Sequence, residues 1–205
     1  MKTVAIISGK GGSGKTTIAV HLALCALQQK KSVALIDIDV QGSAMDWYKA
    51  RKHNEFSAAH SHAESLPDLL QTAEAGNVDI VIIDTAPHSN KDAAIAANLA
   101  DLILIPCQPA RFDLKAMPST LDFITLIKTP AYILLNRCTG KKLAENARIV
   151  LRKQNFSVLD FQIHDRAAYR HAVTDGRSVH EYEPGGKAAA EIDTLYNFIK
   201  DRLEL

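Results

Sequence analysis

Residues 8–17, "SGKGGSGKTT", restrict the possible folds of this chain more than any other stretch. They follow an apolar run, "TVAIIS" at 3–8, and precede a segment where Ile18, Leu22 and Leu27 recur at helical spacing among alanines. Gly9-Lys10-Gly11-Gly12-Ser13-Gly14-Lys15-Thr16 fits the pattern G-x-x-x-x-G-K-S/T in the strand–loop–helix setting it requires. Glycines let backbone N–H groups close around phosphate oxygens, and a helix N-terminus adds a favourable dipole. The expected cradle is Gly11, Gly12, Ser13, Gly14, Lys15, Thr16 and Thr17, with Lys15 reaching the outer phosphates and the Thr16 hydroxyl offered to Mg²⁺. Such a loop needs one lysine for its own phosphates, yet Lys10 stands five positions before Lys15.

Further apolar runs alternate with longer amphipathic stretches. Strands are expected at 32–37, 78–84, 101–106 and 131–136, with a further one at 156–163. Helices are expected at 16–29, 44–52, after Pro67, at 113–127 with a disturbance at Pro118, at 141–153 and at 186–202. The stretch 53–65, "HNEFSAAHSHAES", reads as a loop or a short edge strand. Alternation of this kind predicts one α/β domain over 1–205: a mostly parallel sheet with helices on both faces, of P-loop type. Ligands of such sheets bind beyond the carboxyl ends of the strands.

Acidic residues stand at those ends. "VIIDTAP" places Asp84 where a carboxylate would hold Mg²⁺ through water, and Asp37 closes the second strand as a further metal-side candidate with Thr16. Asp39 lies two residues on, so an extended backbone points both carboxylates toward the phosphates. Asp39 is the candidate for hydrolysis, although by itself it reads as a solvent-facing loop residue.

Several function classes are disfavoured by composition. The 24 basic and 23 acidic side chains leave a formal charge of +1, so attraction to nucleic acid or membrane must come from a local patch. Three cysteines, Cys25, Cys107 and Cys138, show no CxxC spacing and read as reduced thiols of a cytoplasmic protein. No run approaches the roughly 20 apolar residues of a membrane span, and the N-terminus does not read as a signal peptide. His60 and His62 form an HxH pair near His53 without a well-spaced third ligand, and read as solvated loop residues. Trp47 reads as a packing residue, and Arg177 and Lys187 as exposed charges or nucleic-acid contacts.

The loop "KGGSGKTT" with Lys10 at its head resembles the deviant Walker A motif of the ParA/MinD group of ATPases. "DIDVQGSAMDW", "IIDTAP", "LIPCQPARFDLKA", "LLNR" and "GRSVHEYEPGGKAAAEIDTLYNFI" resemble further segments of ParA-type partition proteins, in particular the compact ParF-like subgroup. Val40 stands where that family usually has proline. The resemblance implies an ATPase using ATP and Mg²⁺, with slow turnover. It implies a homodimer formed on ATP binding, in which Lys10 crosses to the partner's phosphates and acts with Lys15 and Asp39 in hydrolysis. It also implies that Asn136 meets the adenine edge and that Pro184 lies in the segment packing on the base.

Three readings of the switch compete. In the first, the ATP dimer binds DNA nonspecifically through Arg148, Arg152, Lys153, Arg166 and Arg170, and a ParB-like or centromere-binding partner releases it. Nucleoid association of a cytoplasmic protein follows from that reading, with a plasmid, a chromosome or a protein assembly as cargo. The second is a MinD-like positioning ATPase on a membrane. The tail "EIDTLYNFIKDRLEL" argues against it, since its acidic residues suit a helix docking on the sheet. The third is a metal-cluster relative, which would need paired cysteines, and neither Cys107 nor Cys138 has a suitably spaced partner in this sequence.

Overall fold

The computed structural model describes residues 1–53, 55–87, 89–124 and 127–205, with backbone alone for 116 and 118–123. In chain order the elements begin with β1 (Lys2–Ile6), α1 (Lys15–Gln28), β2 (Val33–Asp37), α2 (Ser43–Ala50) and β3 (Ser57–His60). After a single 3₁₀ turn come α3 (Leu66–Ala75), β4 (Ile80–Asp84), α4 (Asn90–Leu99), β5 (Leu102–Cys107) and α5 (Arg111–Ile124). The chain closes with β6 (Ala131–Cys138), α6 (Lys141–Lys153), β7 (Val158–His164), α7 (Ala167–Thr174), α8 (Val179–Tyr182) and α9 (Lys187–Leu203).

Among the described residues the strands form one seven-stranded sheet, ordered β3-β2-β4-β1-β5-β6-β7, and every pairing is parallel. β1 sits near the middle, so the loop after it opens at the centre of the sheet's carboxyl edge, between neighbours reached by separate crossovers. Side chains alternate along β1. Val4 and Ile6 join one core layer with α1 and α9, whereas Ala5 and Ile7 join the other with α3, α4 and α6. Two-sided cover explains why the central strands read as continuous apolar runs.

α1 is buried over most of its circumference, and Ala19, Ala23 and Ala26 let it approach both the sheet and α9. Ile192, Leu195, Tyr196, Ile199 and Leu203 of α9 are buried in the same layer, as the acidic tail predicted. No described helix is long and apolar enough to cross a membrane.

All the expected strands are present, and the soft stretch holds the edge strand β3. α5 continues through position 118, and its expected extension to 127 crosses residues 125–126, outside the described set. Three helices were not expected: α4, α7 and α8. α4 is alanine-rich, so periodicity is faint, but Ser89 caps it by accepting the Asp92 N–H. α8 is one turn long and rests on a capping box between Ser178 and Glu181.

Candidate functional site

Sheet register draws the site as one row across four carboxyl ends. Ile6 pairs with Asp84, Asp84 with Asp37, and Asp37 with His60. The glycine-rich loop rises from β1 beside this row. Gly14 has φ +96°, which only glycine adopts without strain, and a Cβ there would lie 2.2 Å from Asn136 Nδ2.

Two amides brace the loop from behind. Gln108, just past β5, donates Nε2–H to the Gly12 carbonyl at 2.9 Å, and Asn136 donates Nδ2–H to the Ser13 carbonyl at 2.7 Å. With those carbonyls held, the loop presents its other side outward. Gly11 and Gly12 are exposed, and α1 begins just after Gly14, which supplies no side-chain cap. An uncapped helix start under a glycine loop is an anion cradle.

Lys15 is buried and its ammonium is pushed below the usual lysine range by burial, with Asp84 and then Asp39 pulling the other way. Asp84 is fully buried, and its Oδ2 accepts the Thr16 hydroxyl at 2.6 Å. Burial pushes the Asp84 carboxyl up to about 7. The Thr16 hydrogen bond and Lys15 oppose the shift, and Asp37 and Asp39 add to it. Asp84 Oδ1 and Ser13 Oγ are buried without a hydrogen-bond partner among the described residues. A hard cation at Thr16 and Asp84 would satisfy the first of these, and the hydroxyl–carboxylate donor set suits Mg²⁺. The residues fit the ion.

Asp37 is tied into the backbone that follows its strand. Its Oδ1 accepts the Asp39 N–H at 3.0 Å, and its Oδ2 accepts those of Ala44 at 3.0 Å and Met45 at 3.2 Å. Burial raises its pKa, and these three backbone N–H groups hold it down. Both oxygens thus accept backbone N–H groups of the turn into α2, so Asp37 anchors the loop that carries Asp39. Asp39 is half-buried, with Oδ1 accepting the Gln41 N–H at 3.0 Å.

The second lysine has a partner. Lys10 Nζ lies 2.5 Å from Asp113 Oδ2, on the first turn of α5. Asp113 is only 6% exposed, whereas the lysine side chain is 41% exposed. Asn136 is buried with its amide nitrogen on the phosphate loop, and exposed Pro184 follows α8.

The five basic candidates scatter in accessibility. Arg148 and Arg152 share a face of α6, as spacing predicted, but that face turns toward β7. Arg148 is 6% exposed and donates to the Leu159 carbonyl, Glu145 and Gln162, which removes it as a surface contact. Arg152 pairs with Asp160 and the Val158 carbonyl, Arg166 with Glu191, and Arg170 with Asp165. Lys153 is exposed.

Sequence reasoning missed Gln108, Asp113, His60 and a clamp at the far end of α2. There, buried Arg51 meets Glu181 at 2.9 Å, donates to the Gly176 carbonyl and lies over the Trp47 ring. Asp113 sits inside the quoted segment "PARFDLKA", but no spacing rule ties it to Lys10, 103 residues earlier. Away from the phosphate loop, Cys25, His180 and Asp193 bring three metal-type ligand atoms within 4.8 Å of one another. The thiol there is kept protonated by burial and by Asp193, which accepts from it.

Comparison with known proteins agrees with this geometry. The CobQ/CobB/MinD/ParA nucleotide binding domain matches residues 4–179. The maintenance of carboxysome distribution protein A of Gloeobacter kilaueensis is 33% identical over 99% of this chain and 94% of its own length. The protein of the same name from Halothiobacillus neapolitanus is 32% identical over 95% and 94%. Among solved structures, apo McdA from Cyanothece superposes with a TM-score of 0.78 at 18% identity, covering 99% of both chains.

Proposed function

The chain belongs to the CobQ/CobB/MinD/ParA nucleotide-binding domain family, and from that premise we propose that it is an ATP-dependent dimerising ATPase that positions a cargo. The observation that carries the reading is the pairing of a glycine-loop phosphate cradle with a second, partly exposed lysine, Lys10, in the same loop. A cation held at the rim suits a phosphate supplied from outside the subunit, as an arginine finger does in trans.

In this reading Lys15 binds the outer phosphates, and the glycine-loop N–H groups hold their oxygens. Mg²⁺ held by Thr16 and Asp84 would neutralise charge on those oxygens. Asp39 orients the attacking water, and Asp37 holds the backbone that carries Asp39. The base is assigned to Asn136 and Pro184 by the family resemblance, with the Asn136 amide N–H already given to the Ser13 carbonyl. Phosphoryl transfer through a loose transition state rests on positioning and charge rather than strong base chemistry, so a slow timer is chemically sufficient.

Two full-length relatives named for carboxysome distribution favour a protein assembly as the cargo over a plasmid. DNA remains the proposed matrix, with Arg152, Lys153 and Arg170 the exposed members of the basic candidates. A ParB-like partner or its functional counterpart triggers release. The burial of the α9 apolar face counts against a membrane as the matrix.

The test is DNA binding with ATP, with ADP and without nucleotide across a salt series, beside sedimentation under the same conditions. ATP-specific dimerisation and salt-sensitive DNA binding are expected. An assembly state indifferent to nucleotide overturns the switch, and dimerisation without DNA binding overturns the matrix.

A further inference from the structure

We infer that His60 is a positioning residue for Asp39, an inference that rests on the reading of Asp39 as the group orienting the attacking water. His60 ends the edge strand β3 and stands beside Asp37 in the register row. A carbonyl can only accept, so the 2.9 Å contact between His60 Nε2 and the Asp39 oxygen is an imidazole N–H donating to the Asp39 carbonyl. The same carbonyl accepts the Gly42 N–H at 2.8 Å, closing the turn. The ring also covers Gly42, where φ is +63° and a Cβ would lie 3.7 Å from the imidazole Cε1.

The peptide groups on both sides of Asp39 are therefore fixed by side chains of neighbouring strands. The Asp37 carboxylate takes the N–H from one side, and the His60 imidazole holds the C=O from the other. With both fixed, and with Asp39 Oδ1 accepting the Gln41 N–H, the turn that carries this carboxylate is held before any nucleotide arrives, which is the preorganisation that positioning catalysis demands. His60 is exposed and outside both core layers, so its ring serves this loop rather than packing.

The experiment compares ATP turnover, KM and ATP-dependent dimerisation in the full chain for His60→Ala, His60→Leu and His60→Gln, with Asp39→Ala alongside. His60→Ala should lower kcat about tenfold, the loss of one aligned hydrogen bond, while leaving KM within about twofold and dimerisation intact. Glutamine carries an N–H about as far from the backbone as the imidazole Nε2, so His60→Gln should recover most of the rate. Leucine fills the space without a donor and should not. Wild-type kcat in His60→Ala, or equal rates for the leucine and glutamine variants, overturns the inference. An inactive Asp39→Ala beside an unaffected His60→Ala removes His60 alone. An Asp39→Ala enzyme at the wild-type rate removes the Asp39 reading, and the inference with it.

Discussion

Lys10 and Asp113 stand 103 residues apart in the chain and 2.5 Å apart in space, joining the rim of the phosphate loop to the first turn of α5. A lysine that is to reach a partner's phosphate has to leave this carboxylate first. Asp113 therefore competes with the second subunit for the same charge. Asp113→Asn should strengthen ATP-dependent dimerisation about fivefold, corresponding to roughly 1 kcal/mol for a pair with one exposed member. Lys10→Ala should bind ATP and stay monomeric. Sedimentation equilibrium with ATP measures both, and a normal dimer from Lys10→Ala ends the proposed role in trans.

Asp39→Ala should retain the cradle and Lys10, and so form an ATP dimer that does not reset. Turnover should fall by about a hundredfold or more, as expected when a positioning group is lost. Single-turnover hydrolysis beside a dimer lifetime measurement checks this.

Asp84 predicts an unusual pH dependence for the nucleotide-free protein. Its folded pKa, pushed up to about 7 by burial, lies above the ordinary aspartate value of about 3.9. Between the two the folded state keeps a proton that the unfolded chain releases, so this residue's contribution to stability falls as pH rises through that window. Asp84→Asn should flatten that slope, melt a few degrees higher than wild type at pH 8 without nucleotide, and lose Mg²⁺-dependent turnover. Thermal melts from pH 5 to 8 give the answer, and unchanged pH dependence in Asp84→Asn would contradict it.

Gly14→Ala meets two obstacles, a left-handed backbone and the Asn136 amide. It should cost more than about 1 kcal/mol and abolish ATP binding. Adding Asn136→Ala removes the clash but not the backbone strain, so only part of the stability should return. Denaturant melts of the single and double variants separate the two.

Arg148→Ala should destabilise the fold by about 2–3 kcal/mol, because it strips the Leu159 carbonyl and Gln162 of a buried partner, and should leave the salt slope of DNA binding unchanged. Lys153→Ala and Arg170→Ala should show the converse, near-native stability with a shallower slope.

The architecture was largely legible because its two signals are local. Apolar runs such as 78–84 are continuous when a strand is covered on both faces, and the glycine pattern reports its own loop geometry. Elements with faint or very short apolar periodicity were not legible, α4 with its alanines and α8 with a single turn among them. For the site, the boundary falls between groups whose role follows from their neighbours in sequence and groups whose role depends on distant ones. Lys15 and Thr16 belong to the first kind. Asp113, Gln108 and His60 belong to the second, since each acts on a backbone or charge supplied by a different strand. Arg148 marks a related failure: four-residue spacing revealed a shared helix face but not that the face turns toward β7. Asp37 is a third case, as two of the N–H groups its carboxylate accepts, those of Ala44 and Met45, are presented only once α2 has formed.

α2 is short, and both of its ends are tied down. The Asp37 carboxylate grips its start, and Arg51, just past its end, grips Glu181 and the Gly176 carbonyl. Eight residues of helix thus form a stiff strut between the turn that bears Asp39 and the chain around α8. Glu181 is thereby joined through one short helix to the turn that bears Asp39, by a route that runs clear of the glycine-rich loop.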